Sequence, residues 1–180
     1  MVRTRVGYAG GKKKDPTYYA MGDHTESIQI DFDPRQITYG DLLDVFWKTH
    51  NPCAQSGSRQ YMSAIFYHNG EQKKSALATR DREAARRGAM ITTAILPATE
   101  FYQAEDYHQK YMLRHERRLM REFRSMYPNE SDFVRSTAAA RVNGYLGGNG
   151  SAASLKKVIG NLGLSDTSRK LLESVVTSNR

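Results

Sequence analysis

Residues 25–48, TESIQIDFDPRQITYGDLLDVFWK, change their period in mid-course. In the first part Ile28, Ile30 and Phe32 fall on one parity while Ser27, Gln29 and Asp31 fall on the other, the alternation of a half-buried strand. Asp33-Pro34 turns the chain, and Thr38 with Asp41 three positions later has the form of a helix start. Leu42, Leu43, Phe46 and Trp47 then recur at helical spacing. Working outward, Arg3–Tyr8 reads as a strand ending at Gly10-Gly11, and Lys12 to Gly22 as a polar loop holding Pro16, Tyr18 and Tyr19. Beyond the helix come a loop of small and polar residues from His50 to Arg59, a strand at Tyr61–Tyr67, a charged helix at Glu71–Arg87 stopped by Gly88, and a strand at Ile91–Leu96. A long helix follows from about Ala104 to Met126, with Tyr107, Tyr111, Leu119 and Phe123 near one stripe. The expected order is strand, strand, helix, strand, helix, strand. The split βαβ plait runs strand-helix-strand-strand-helix-strand, so this chain enters at the second strand. The expected architecture is an α/β two-layer plait over residues 1–127, without its first strand and helix.

After Pro128 the composition changes. Ser136–Arg141 is rich in alanine, NGYLGGNGS (143–151) reads as a glycine-rich turn, and two short amphipathic helices follow at Ser151–Leu162 and Ser165–Val176. Each opens on a serine suited to an N-cap. Residues 128–180 are therefore expected to form a helical C-terminal extension, packed on the core or on a protein partner.

Composition closes several function classes. The 180 residues are 39% hydrophobic and 10% aromatic, enough for one packed core, and no apolar run approaches the length that spans a bilayer. The start, MVRTRVGYAGG, lacks the apolar centre of a signal peptide, so a soluble, cytoplasmic protein is expected; a mitochondrial presequence would lie upstream of Met1. Cys53 is the single cysteine, which excludes an intrachain disulfide, a zinc ribbon and a dithiol redox cycle built from this chain alone. Net charge is +8, of which residues 114–180 carry +6, concentrated in RHERRLMREFR (114–124). Such a run is ordinarily a solvated helix face, and neither membrane nor nucleic-acid binding is expected from it. No metal site is expected either: His24, His50, His68, His108 and His115 are scattered without the HExxH spacing. No GxSxG elbow or nucleotide fingerprint occurs.

What remains is a group of phenols and one acid. Tyr18 sits in the polar loop, Tyr61 opens a strand, and Glu26 shares the parity of Ile28 and Ile30. Phenols and a protonated carboxyl together can donate hydrogen bonds to a polarised oxygen. A carboxyl at the mouth of a buried face resists ionisation, so Glu26 is expected to have a raised pKa.

The segments VGYAGG (6–11), DPTYY (15–19), GDHTESIQIDFDP (22–34), ITYGDLLDVFWKTHNP (37–52), RQYMSAIFY (59–67) and FYQAEDYHQKY (101–111) occur in the order and residue types of the A-type peptide methionine sulfoxide reductases, which the chain resembles from about Arg3 to Tyr111. The resemblance implies a plait whose first strand ends in Gly-Cys-Phe-Trp. It also implies a reaction in which a thiolate attacks the sulfoxide sulfur, sulfide leaves, and the sulfenic acid is reduced through disulfide exchange with thioredoxin; no bound cofactor is required. By motif, Glu26 (in HTE) is the implied proton donor, and Tyr18 (in PTYY) and Tyr61 (in RQY) hold the oxygen.

The chain departs from the family in several places. The nucleophilic cysteine and the Phe-Trp beside it have no counterpart in these residues. The loop from His50 to Tyr61 is short, with small polar residues around Ser56 where the family has an acid. In NGYLGGNG, Leu146 stands where a resolving cysteine would sit. Cys53 comes from a different element than the family nucleophile, and an ordinary loop thiol is the expected reading, although Lys48 and His50 lie close enough in sequence to act on it. Three functions are consistent with this pattern. One is a reductase whose nucleophile segment lies upstream of Met1, residues 1–180 alone being inactive. The second is a pseudo-enzyme that binds sulfoxide without reducing it. The third is an interaction protein acting through its basic C-terminal helices.

Overall fold

The computed structural model describes residues 2–54 and 56–178. They form two compact units, one of Val6–Ala104 and a second of Val2–Arg5 with the chain from Glu105 onward. The first unit holds most of β1 (Arg3–Ala9), then β2 (Thr25–Asp31), α1 (Tyr39–Lys48), β3 (Ala64–Tyr67), α2 (Gly70–Arg87), β4 (Ala94–Pro97) and β5 (Tyr102–Gln103). The α/β order is the expected one, with the two-residue β5 added.

Local chemistry explains the helices. Thr38 accepts the Asp41 N–H (3.1 Å) while the Asp41 carboxylate accepts from the Thr38 N–H (2.9 Å) and hydroxyl (2.6 Å), a reciprocal cap that starts α1. Asn69 caps α2, and Gly88 ends it at φ 62°, a left-handed turn glycine adopts without strain. Leu43 and Trp47 of α1 meet Ile65 of β3 and Ala76 of α2 in one core; Tyr8, Met21 and Ala104 form another.

The strands form two sheets rather than one. In the first the order is β2-β1-β5, with β1 and β5 antiparallel and Tyr8 opposite Tyr102. In the second, β3 and β4 run parallel with Ala64 opposite Ala94, joined by α2 as the crossover that a parallel pair needs. A hydrogen bond from the Glu26 N–H to the Gln60 carbonyl (3.0 Å) links the start of β2 to the approach to β3. Beyond it the two strands are walls of a cavity of about 340 Å³. Residues 25–30 and 62–66 line it without a gap, so each strand meets the cavity edge-on rather than with alternate side chains.

One expectation is corrected here. The parity of Glu26, Ile28 and Ile30 is not a buried face: Glu26 is exposed and Ile28 is 58% exposed, whereas Thr25 on the other parity is buried. Alternation identified the strand but could not say which side is covered, and no helix of the described residues covers this one.

In the second unit the helix expected over 104–126 is broken into a 3-10 turn (Asp106–His108), α3 (Tyr111–His115) and α4 (Arg117–Met126). Lys110 takes a left-handed backbone (φ 55°), and its ammonium donates to the Thr4 carbonyl (2.5 Å), which ends the first turn before α3 begins. Glu116 then breaks the helix again and accepts the Arg118 N–H (3.3 Å) to start α4. α5 (Glu130–Arg135), α6 (Thr137–Leu146), α7 (Ala152–Lys156) and α8 (Asp166–Ser178) complete the unit. The NGYL segment read as a turn is the last turn of α6, and Leu146 is buried in the core. That core joins Leu119 and Phe123 of α4 to Phe133, Val142, Leu155 and Leu172, so the division expected at residue 127 falls inside this unit.

Candidate functional site

The loop before β2 is folded onto a charged hairpin base. The Gly11 N–H donates to Nδ1 of His24 (3.2 Å), and because an amide nitrogen only donates, Nδ1 is unprotonated and the Nε2–H donates to the Lys13 carbonyl (2.8 Å). His24 is thus a neutral, buried imidazole whose two nitrogens fix the loop. The Asp23 carboxylate accepts from the Lys12 (2.9 Å) and Lys13 (3.1 Å) amides, which hold its pKa below the usual carboxylate range. A Cβ on Gly11 would lie 2.6 Å from both Asp23 Oδ1 and His24 Cδ2, so this approach requires glycine.

Arg59 clamps the next segment onto this base. Its guanidinium donates to the carbonyls of Asp23 (3.1 Å) and Gly10 (3.0 Å), and its own carbonyl accepts from the Thr25 hydroxyl (3.0 Å). Gln60 is thereby set beside Glu26. Its amide Nε2 donates to Glu26 Oε1 (2.7 Å) and to the Tyr61 hydroxyl (3.1 Å). Glu26 and Tyr61, the latter 60% exposed, are therefore joined by one side chain at the start of β2. Tyr18 lies in the clamped loop, where an Ala20-to-Thr17 turn (3.0 Å) presents its ring edge-on to Tyr19 at 5.3 Å. The burial expected of Glu26 is absent: the residue is exposed at the start of β2.

Cys53 stands apart. Its amide donates to Asn51 Oδ1 (3.1 Å), and the neighbouring Pro52 carbonyl accepts the Thr92 N–H (2.8 Å), holding this loop against the segment before β4. It does not line the cavity that Glu26 lines. The expected influence of His50 on the thiol is also corrected. Its Nδ1–H donates to the Phe46 carbonyl (2.8 Å) and Nε2 accepts from the Thr93 hydroxyl (3.1 Å), so both nitrogens are engaged elsewhere.

Gln60, Arg59, Asp23 and His24 were not singled out from the sequence as site residues. RQY marks a phenol preceded by an amide with two donors, which is a local signal; the Arg59 clamp spans 36 and 49 residues and has none. The cavity beside the carboxyl–amide–phenol group is lined by Ile28, Ile30, Phe32 and Phe46. With Glu26, Ser63, His68, Gln72 and Thr99 also in the lining, the cavity offers hydrogen-bonding groups beside apolar walls, which suits a ligand with one polarised oxygen and apolar substituents.

Two small sheets with a crossover helix, and a carboxyl–amide–phenol group at the start of β2, make this a mixed α/β protein with a hydrogen-bonding cluster beside a cavity. The chain belongs to the peptide methionine sulfoxide reductase family, whose model matches residues 1–142. It is 42% identical over 172 residues to a Drosophila melanogaster peptide methionine sulfoxide reductase, covering 94% of this chain and 69% of that protein. It is 45% identical over 123 residues to one from Methanosarcina acetivorans, covering 62% of this chain and 65% of that protein. The crystal structure of Mxr1 from Saccharomyces cerevisiae in reduced form superposes with a TM-score of 0.59 at 28% identity, covering 63% of this chain and 71% of Mxr1. The chain thus spans about two thirds of the length of these relatives.

Proposed function

We propose that this chain supplies the oxygen-binding side of a peptide-methionine (S)-S-oxide reductase, and that the attacking thiol comes from residues other than its single cysteine. The observation that carries the proposal is the Gln60 amide joining Tyr61 to Glu26, and of these three it is Glu26 that lines the cavity, beside Ile28 and Ile30. In the reaction a thiolate bonds to the sulfoxide sulfur as the sulfur–oxygen bond breaks. Glu26, as the proton donor, and the Tyr61 hydroxyl hydrogen-bond the departing oxygen, with Tyr18 as a second phenol; the oxygen, protonated to hydroxide, then bonds to the attacking sulfur as the new sulfur–sulfur bond breaks, which frees the methionine thioether and leaves a sulfenic acid. A second thiol condenses with the sulfenic acid, releasing water, and a thioredoxin dithiol reduces the resulting disulfide. This cycle fits a reducing compartment such as the cytoplasm.

Binding is separable from turnover. N-acetyl-methionine-(S)-sulfoxide methyl ester titrated into the 180-residue chain should bind; Glu26→Ala and Tyr61→Phe should each weaken binding by about tenfold, the loss of one hydrogen bond to a polar ligand, and Gln60→Ala, which releases both partners, should weaken it by a similar factor. Unchanged affinity in all three would sink the proposal. The position of Cys53 outside the cavity favours a second reading, a sulfoxide binder without turnover; the same titration with no reduction under thioredoxin, in any chain that includes these residues, distinguishes it.

A further inference from the structure

α2 and α4 are both rich in arginine and handle that charge differently. In α2, Arg80 meets Asp81 (2.7 Å), Arg86 and Arg87 share Glu83 (2.7 and 3.3 Å), and Arg82 pairs with Asp44 of α1. That is a solvated face with its counter-charges built in. In α4, Arg117, Arg118, Arg121 and Arg124 are all exposed, and among the described residues none of the four side chains has an acidic partner. The acids that could neutralise them are committed elsewhere. Glu116 accepts the Arg118 backbone N–H (3.3 Å), and Glu122 turns to the start of α8, where it accepts from the Ser165 amide, the Ser165 hydroxyl (3.0 Å) and the Ser168 hydroxyl.

Arg117, Arg121 and Arg124 follow i, i+4, i+7 spacing and share one face, turned away from the buried Leu119 and Phe123, with the buried Met120 at its margin. At the rise of a helix the row is about 10 Å long, with Arg118 beside it. Like charges at this spacing destabilise the helix that carries them, unless something outside the chain neutralises them. Immediately before the row in sequence, on α3, the Tyr111 and His115 rings lie 4.1 Å apart and tilted by 42°, and the His115 Nδ1–H donates to the Tyr111 carbonyl (2.8 Å), which fixes the imidazole plane. Both residues are exposed.

We propose that the α4 arginine row is a docking surface for single-stranded nucleic acid, with the arginines on successive phosphates and the Tyr111–His115 pair as a stacking platform for a base. This surface is independent of the sulfoxide reading. An anionic bilayer fits less well, since a helix that lies in a membrane inserts its apolar face, and that of α4 is already buried in the core of its own unit. An acidic protein partner would need apolar anchors among the arginines, and residues 117–125 expose none; the exposed Tyr111 and Met112 lie on the preceding helix, outside the row. Exposed aromatic rings one helix before a run of guanidinium groups that have no acidic partner among the described residues are the groups an unstacked strand uses.

The test is the salt dependence of binding. A labelled oligothymidylate of about 20 nucleotides is titrated with the 180-residue chain from about 25 to 200 mM salt; four phosphate contacts on a single strand predict a log–log slope near −2.8. Arg117→Gln/Arg121→Gln should bring the slope to about −1.4, whereas Tyr111→Ala should weaken binding several-fold and leave the slope unchanged. Lys73→Gln/Lys74→Gln removes the same charge from α2 and should alter neither. All of these side chains are exposed, and an unchanged helical circular dichroism signal certifies each variant. The proposal fails if no binding occurs at the lowest salt, if the α2 control lowers the slope equally, if Tyr111→Ala is silent, or if phosphatidylserine vesicles bind and the oligonucleotide does not.

Discussion

Lys110 places a cation where one is costly. Its side chain is only 5% exposed, and its ammonium donates to the Thr4 carbonyl (2.5 Å) and hydroxyl (3.2 Å). Burial first, and then the charges of Arg5 and Arg114, push its pKa down from 10.5 to about 8. The unfolded chain therefore holds this proton more tightly than the folded one. Below pH 8 both states carry it and the cost of burying the cation is present in full; from pH 8 to 10.5 the folded state sheds it first, and stability rises with pH. A shift of this size corresponds to a change on the order of 3 kcal/mol. Urea denaturation of wild type and Lys110→Met across this range should show the variant more stable near pH 7 and the gap closing as pH rises. A gap that stays constant would mean the ammonium is solvated after all. The break at Lys110 also marks a limit of reading residues in order. Tyr107, Tyr111, Leu119 and Phe123 are spaced as in one helix, and nothing nearby in the sequence reveals that an ammonium reaches back to residue 4.

The elements divide by how far their determinants lie. α1 was legible from Thr38, Asp41 and the apolar spacing to Trp47, because every group that starts the helix lies within one turn of its end. β2 was legible as a strand but not as a face, since alternation is the same whether the apolar parity is covered or open. The structure makes that difference measurable. Trp47 is 1% exposed in the core between α1, β3 and α2, and Trp47→Ala should cost about 3–5 kcal/mol. Ile28, on the open parity, should tolerate Ile28→Thr within about 0.5 kcal/mol in the 180-residue chain. A loss of several kcal/mol on Ile28→Thr would show that this face is covered, and the cavity between β2 and β3 would not be open as described. The site follows the same rule. Glu26, Tyr18 and Tyr61 could be named from short motifs, but the Gln60 amide that ties two of them depends on Arg59 reaching Gly10 and Asp23 across the fold.

At the scale of the molecule the two units carry different chemistry: Val6–Ala104 holds the Glu26–Gln60–Tyr61 group and the cavity that Glu26 lines, and the chain from Glu105 holds an arginine row without acidic partners among the described residues. Reduction of a sulfoxide needs a thiolate aligned with the sulfur while the oxygen is held, and near-attack geometry places the reacting atoms within about 3.5 Å. Cys53 is outside the cavity that Glu26 lines, on a loop tied to Pro52 and Thr92, and its neighbour His50 is bound to Phe46 and Thr93. A thiol so placed can react with reagents in solution without being a nucleophile for a ligand bound at Glu26. The 180-residue polypeptide should therefore release no methionine from methionine-(S)-sulfoxide in excess dithiothreitol, which removes any need for a resolving cysteine, and Cys53→Ser should behave identically. Fusing a strand that ends in Gly-Cys-Phe-Trp ahead of Val2 should introduce turnover, and Glu26→Gln in that fusion should remove most of it while leaving the thiol reactive toward a maleimide. Turnover by the unfused chain that disappears in Cys53→Ser would place the nucleophile in the α1–β3 loop and reverse the assignment.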